Sequence, residues 1–248
     1  MKNLAGKYCI VTGGGKGIGK AIAKRFFEEE AAGVAILEYD LELANATALE
    51  IDPTGKRVIA IRCNVADSDM VKDAIDTVIS TFGKIDVLIN NAGITRDKMF
   101  HKMTDEDWYS VLNVNLNGVY NLCKYVVPLM REQESGSIVN LSSTSLMGNA
   151  GQANYAATKA ALQGFTRTMA KELGRKNVRM NCIAPGYIDT DMMRSVGDEI
   201  LTRMIKGIPA QRLADPDEIA SIAAFLSTDD SSWVSGQTIF ASGGAICN

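Results

Sequence analysis

Tyr8-Cys-Ile-Val-Thr12-Gly-Gly-Gly-Lys-Gly-Ile-Gly19 decides how this chain is read. The apolar run Tyr8–Val11 has the length and residue types of a buried strand. It breaks into glycines and passes into helical periodicity over Ile18–Phe27. Glycines let the backbone turn tightly and approach a pyrophosphate, which the N-terminus of the following helix stabilises. The spacing is Gly-x-x-x-Gly-x-Gly, through Gly13, Gly17 and Gly19, so the strand–loop–helix context carries more of the inference than the spacing does. Gly15, Lys16 and Ile18 complete the candidate loop.

The same alternation runs outward along the chain. Val34–Leu37, Val58–Arg62, Val87–Asn90, Ser137–Leu141, Val178–Ile183 and Thr238–Phe240 read as further strands. Helical patterns at Leu41–Leu49, Ser68–Phe82, Asp105–Met130, Tyr155–Leu173 and Pro216–Leu226 lie between them. Such alternation predicts crossover units and a mostly parallel sheet covered on both faces. Asp215-Pro-Asp-Glu218 is a helix start, with a capping Asp, Pro at the first helical position and a Glu that reaches back. Asn113, Asn115, Asn117 and Gly118 are poor interior residues and predict a break in their helix, which would free a carbonyl to hold a water.

With 248 residues, the chain fits one large α/β domain over 1–248. Its net charge of −3 gives no reason to expect nucleic acid or an anionic membrane as partner. No apolar run approaches membrane-spanning length. The five cysteines, Cys9, Cys63, Cys123, Cys182 and Cys247, lack metal-ligand spacing and suit a reducing compartment. With no signal-peptide pattern at the start, a cytoplasmic protein without a metal is expected.

Ser142-Ser143, followed by Tyr155-Ala-Ala-Thr-Lys159, is the candidate chemistry. Tyr155 and Lys159 share a helix face. An ammonium beside a phenol favours the phenolate, so Lys159 is expected to lower the Tyr155 pKa. Tyr120 and Lys124 repeat the spacing, but only Tyr155 follows a strand-like run ending in hydroxyl residues. Glu38, at the end of strand two, can accept bonds from ribose hydroxyls and would repel a 2′-phosphate. Lys16 would attract one; Glu38 has the more direct conflict, so NAD is favoured over NADP.

Together, Thr12–Gly19, Asn90-Asn-Ala-Gly93, Asn115, Ser142-Ser143, Tyr155 with Lys159, and Pro185-Gly-Tyr-Ile-Asp-Thr190 resemble the short-chain dehydrogenase/reductase family over essentially the whole chain. The resemblance implies a single Rossmann-type doubly wound domain, with a seven-stranded parallel sheet flanked by helices. It implies hydride transfer between a nicotinamide cofactor and a carbonyl or secondary alcohol. Tyr155 would be the acid or base, with Lys159 on the nicotinamide ribose. Asn115 would hold a water that resupplies the proton. Asn64 and Val65 would meet the adenine. Asn91, Ala92 and Gly93 would line the adenosine, and Pro185, Gly186, Ile188 and Thr190 the nicotinamide. A homotetramer is the family expectation.

The family's usual Asp is Asn64 here, and the loop between the serines and Tyr155 is one residue short. Counting from Asn115 selects Ser143 as the substrate-binding serine, and counting back from Tyr155 selects Ser142. Ser143 is chosen because the strand fixes its position. Gly93-Ile-Thr-Arg-Asp97, Met103-Thr-Asp-Glu-Asp-Trp108, Gly148-Asn-Ala-Gly-Gln-Ala-Asn-Tyr155 and Pro209-Ala-Gln-Arg-Leu213 resemble 3-oxoacyl-thioester reductases of the acyl-carrier-protein and acetoacetyl-CoA type. In that group an acidic carrier protein docks on basic residues near the active-site mouth, for which Arg175 and Lys176 are available. Met192, Met193 and Met204 fall where the family has a substrate lid, and His101 reads as a solvated rim residue. The alternatives are an NAD-dependent hydroxysteroid or other secondary-alcohol dehydrogenase, and a nucleotide-binding scaffold without catalysis.

Overall fold

Apolar strands separated by one helix each must pair in parallel, because every crossover returns the chain to the same end of the sheet. The computed structural model describes residues 4–194 and 197–247. Strands β1 (Tyr8–Thr12), β2 (Gly33–Glu38), β3 (Val58–Arg62), β4 (Val87–Asn90), β5 (Gly136–Leu141), β6 (Val178–Pro185) and β7 (Thr238–Ala241) form one sheet. Their order is β3-β2-β1-β4-β5-β6-β7, with every neighbouring pair parallel. The order reverses between β1 and β4, which opens a crevice above the C-terminal strand ends, where such sheets bind ligands.

Alternation along each strand sends successive side chains to opposite faces. On one face Val11, Ile36 and Val139 pack with Ile22 and Phe26 of α1 (Gly17–Glu28), with α2 (Leu41–Ile51), and with Ile219 of α9 (Pro216–Ser227). On the other, Ile10, Leu88 and Ile138 meet α3 (Ser68–Phe82), α5 (Gly118–Gln133) and α6 (Ala153–Leu173) through Ile75, Leu122 and Leu162. Each such side chain, fully buried, contributes about 1.5–3 kcal/mol. The expected cap at α9 is present: the Asp217 N–H donates to Asp215 Oδ1 at 2.8 Å and the Asp215 N–H to Glu218 Oε2 at 2.9 Å.

The break expected within Asp105–Met130 takes another form. Helix α4 (Asp105–Leu112) passes into a π-helical turn, Asn113–Asn117, and on into α5 without leaving the helical path. A wider turn accommodates the poor helix formers while keeping main-chain bonding, which a full break would forfeit. Two further helices, α7 (Asp191–Arg194) and α8 (Asp198–Lys206), occupy the stretch of the expected lid. Their short or interrupted patterns are not visible as helices in the sequence. Cys9, Cys63, Cys123 and Cys182 are buried free thiols, and Cys247 is exposed.

Candidate active site

The glycine loop works through its backbone. Gly13 has a left-handed φ of +61°, and a Cβ there would lie 2.9 Å from the Ala92 Cα. A Cβ on Gly19 would run into the Gly13 carbonyl. The loop is braced by Asn91, whose amide donates to the Thr12 carbonyl at 2.9 Å and the Gly13 carbonyl at 3.0 Å. Buried Thr12 answers from β1, its hydroxyl accepting from the Asn91 and Ala92 N–H groups at 3.0 Å each. The Asn91 side chain therefore turns toward the loop, and the buried Thr12 has no signal in the sequence beyond its place at a strand end.

Glu38 closes the far end of the loop. Its carboxylate accepts from the Gly15 N–H at 3.2 Å and from its neighbour Tyr39 N–H at 2.9 Å. Lys16 is exposed at the start of α1. Gly17 faces Thr190, whose Cγ2 lies 3.6 Å from where a Cβ would stand, so the loop and the 185–190 stretch converge. Pro185 and Ile188 are buried there, and Gly186 packs so closely that a Cβ would sit 3.0 Å from the Ser242 Cα. Asn64 accepts from the Ala66 N–H at 3.1 Å, and Val65 beside it is buried against Gly118. This cradle, with bare glycine backbone on one side and a carboxylate at one end, fits a dinucleotide.

The hydroxyl, phenol and ammonium meet where β5 ends. Ser142 is buried and its Oγ donates to the Lys159 carbonyl at 2.7 Å. Ser143 points the other way: its hydroxyl accepts the Ser145 N–H at 3.1 Å and is near enough to the Tyr155 phenol to act on its pKa. Lys159 is buried, its Nζ donating to the Leu141 carbonyl at 2.6 Å and lying 5.4 Å from the Tyr155 ring centroid. Gly93 borders this group, a Cβ there falling 3.3 Å from Asn115 Oδ1 and 3.7 Å from Lys159 Nζ. Asn115 is buried in the π-helical turn, accepting the Ile94 N–H at 2.8 Å and donating to the Ile94 carbonyl at 3.0 Å.

The electrostatics correct one expectation. Burial raises the Tyr155 pKa above its ordinary 10; the Ser143 hydroxyl lowers it and the charge of Asp97 adds to the rise. Burial also lowers Lys159 from 10.5 to about 8. Both groups lose water, so the cost of charging either outweighs the attraction expected from their spacing. The phenol is held as a neutral proton donor.

A family model described as enoyl-(acyl carrier protein) reductase matches residues 13–245. The chain belongs to the short-chain dehydrogenase/reductase family. It is an oxidoreductase acting on CH–OH or C=O with a nicotinamide cofactor. Among its curated relatives, the 3-oxoacyl-(acyl-carrier-protein) reductase of Chlamydia trachomatis is 44% identical over 97% of this chain and 98% of the relative. Those of Thermotoga maritima and Staphylococcus aureus are 43% and 42% identical, over 98% and 96% of this chain and 99% and 97% of theirs.

Other expected features of this short-chain dehydrogenase/reductase fall differently. His101 is exposed on a single turn, Phe100–Lys102. Arg175 and Lys176 follow the last turn of α6, whose 21 residues span about 30 Å, and lead into β6, so they lie at the end of the strands opposite Tyr155. Lys176 is also paired with Glu134 at 2.7 Å. In a single protomer they do not border the mouth; exposed Arg96, whose carbonyl accepts from Asn154 beside Tyr155, is nearer to it. Asn154 and Thr158, both buried beside Tyr155, are further residues of the site that sequence reasoning missed. An Asn in a helix's first turn is the signal that could have drawn attention to the first of them.

Proposed function

We propose that this protein reduces a 3-oxoacyl thioester to its 3-hydroxyacyl product. The observation that carries the reading is the convergence of Ser143, Tyr155 and Lys159 at the end of β5, beside the glycine cradle. The near-full-length relatives named 3-oxoacyl-(acyl-carrier-protein) reductases support the substrate class. A bound nicotinamide cofactor supplies the hydride. Ser143 bonds the ketone oxygen and orients it, and Tyr155 delivers a proton to that oxygen as the alcohol forms. A phenol kept neutral by burial is loaded for this donation. Lys159 holds the cofactor ribose, and its positive charge stabilises the phenolate left behind. Asn115 fixes the segment at Ile94 and would hold the water that resupplies the proton by way of Lys159. The remaining cofactor contacts fall to Gly13, Gly15, Lys16, Gly17, Ile18, Gly19, Asn64, Val65, Asn91, Ala92, Gly93, Pro185, Gly186, Ile188 and Thr190.

The cofactor is NAD rather than NADP, because the Glu38 carboxylate, held at the end of β2 by two main-chain N–H groups, would repel a 2′-phosphate. The ammonium of exposed Lys16 is the opposing influence. The acyl group arrives on a carrier protein or on CoA, and residues 1–248 act as one cytoplasmic domain that assembles as a homotetramer. The exposed small residues Ala157, Ala160 and Gly164 on α6 support close helix-to-helix approach between subunits. Acetoacetyl-CoA reduction, followed by the loss of reduced-nicotinamide absorbance with NADH and NADPH in parallel, tests the reading. Turnover that is faster with NADH is expected. A protein that binds cofactor and reduces no 3-oxoacyl thioester would overturn it.

A further inference from the structure

Tyr155 is gripped at its main chain by two buried side chains that do not reach the reacting atoms. Asn154 is fully buried in the first turn of α6. Its Oδ1 accepts the Tyr155 N–H at 2.8 Å, one of the four donors a helix start leaves without an intrahelical partner. Its Nδ2 donates to the Asp107 carbonyl at 2.9 Å and the Arg96 carbonyl at 3.2 Å. Facing two carbonyls and one N–H, the carboxamide has a single satisfactory orientation. Thr158, 1% exposed, donates to the Tyr155 carbonyl at 2.7 Å and accepts from Asn115 Nδ2 at 3.5 Å.

These bonds lead back to one segment. Asn115 holds Ile94, Asn154 holds Arg96, Gln152 donates to Asp97 Oδ2 at 2.8 Å, and the Lys98 N–H donates to the Gly151 carbonyl at 2.8 Å. The α4 side of the grip is itself fixed. Asp107 accepts from Lys98 Nζ at 2.7 Å, the Thr104 hydroxyl at 2.7 Å and the Thr104 N–H at 3.0 Å. A buried polar network of this kind fixes one arrangement, because any displacement leaves a donor or acceptor unpaired.

We infer that Asn154 and Thr158 are positioning residues that hold Tyr155 by both ends of its peptide and register the phenol to the 94–98 segment. The inference rests on Tyr155 being the proton donor. A misplacement of about 1 Å at a reacting group costs roughly a hundredfold in rate, so loosening the grip should lower turnover far more than it loosens the cofactor, whose glycine cradle is on other elements even though Lys159 shares α6.

The test compares Asn154→Ala, Thr158→Val and Thr158→Ser with wild type and Tyr155→Phe in acetoacetyl-CoA reduction, with NADH affinity measured by fluorescence. Asn154→Ala is expected to lower kcat roughly 10- to 100-fold, with KM and NADH Kd within about threefold. Thr158→Val should lose less, and Thr158→Ser, which keeps the hydroxyl, should recover most of that loss. In the Tyr155→Phe background Asn154→Ala should have no further effect, because its influence passes through the phenol. A folded Asn154→Ala with wild-type kcat would overturn the inference, as would a loss that adds in full to that of Tyr155→Phe. If Asn154→Ala does not fold, the Thr158 pair decides: equal rates for Val and Ser overturn it. Full turnover by Tyr155→Phe would instead remove the reading of function beneath it.

Discussion

The chain carries Tyr-x-x-x-Lys twice on helices, and the two copies meet different fates. Tyr120 is 57% exposed on α5, and Lys124 is exposed with its ammonium 5.1 Å over the neighbouring Tyr125 ring. Neither has lost its water, so the pair remains an ordinary surface feature. Tyr155 and Lys159 sit on α6 against the end of β5, where Ser142, Ser143 and Leu141 supply bonds and burial shifts both pKa values. Identical spacing therefore gives no chemistry by itself. What separates the copies is desolvation and a partner for every polar atom around the phenol.

The largest effect expected from probing that contrast is at the lysines. Lys159→Met should lower turnover by at least about 10³-fold, whereas Lys124→Met should leave it near wild type; comparing kcat for the two variants checks this. Stability should move the other way. Burial makes the folded chain bind fewer protons at Lys159 than the unfolded chain between about pH 8 and 10.5, so this group's contribution to stability rises with pH across that window. Below about pH 8 the lysine is charged in both states and its burial cost is constant. Lys159→Met should therefore raise Tm at pH 7, with the advantage shrinking toward pH 10; thermal melts at both pH values would show it.

A smaller difference separates the adjacent serines. Ser143→Ala removes the hydroxyl that faces the phenol and should lower kcat about 10²-fold with cofactor affinity retained. Ser142→Ala removes a buried bond to the Lys159 carbonyl and should mainly cost stability, about 1 kcal/mol by chemical denaturation. The reverse pattern would mean that the short loop before Tyr155 has shifted the serine register. At the cofactor end, Glu38→Ser should move the ratio of kcat/KM for NADH over NADPH toward NADPH by roughly tenfold, since it removes a carboxylate that a 2′-phosphate must face.

The glycine loop and the sheet were legible in the sequence because local rules govern them: strand-length apolar runs, glycines at a turn, and a capping Asp before Pro216. The Tyr155 region was legible only as a motif. The rise in its phenol pKa depends on burial, which spacing does not reveal. The grip of Asn154 and Thr158 on the Tyr155 peptide depends on Arg96 and Asp107 arriving from distant parts of the chain. The π-helical turn was foreshadowed by its asparagines but not its form, because main-chain bonding kept the helix intact. Arg175 and Lys176 looked well placed until the length of α6 carried them to the opposite end of the strands.

The most direct test of this account is single-turnover reduction of acetoacetyl-CoA by wild type, Tyr155→Phe and Tyr120→Phe, each preloaded with NADH and checked for bound cofactor. The expected result is loss of about 10³-fold or more for Tyr155→Phe with NADH still bound, and an unchanged rate for Tyr120→Phe. Equal rates for the two variants would contradict the claim that the buried copy supplies the proton.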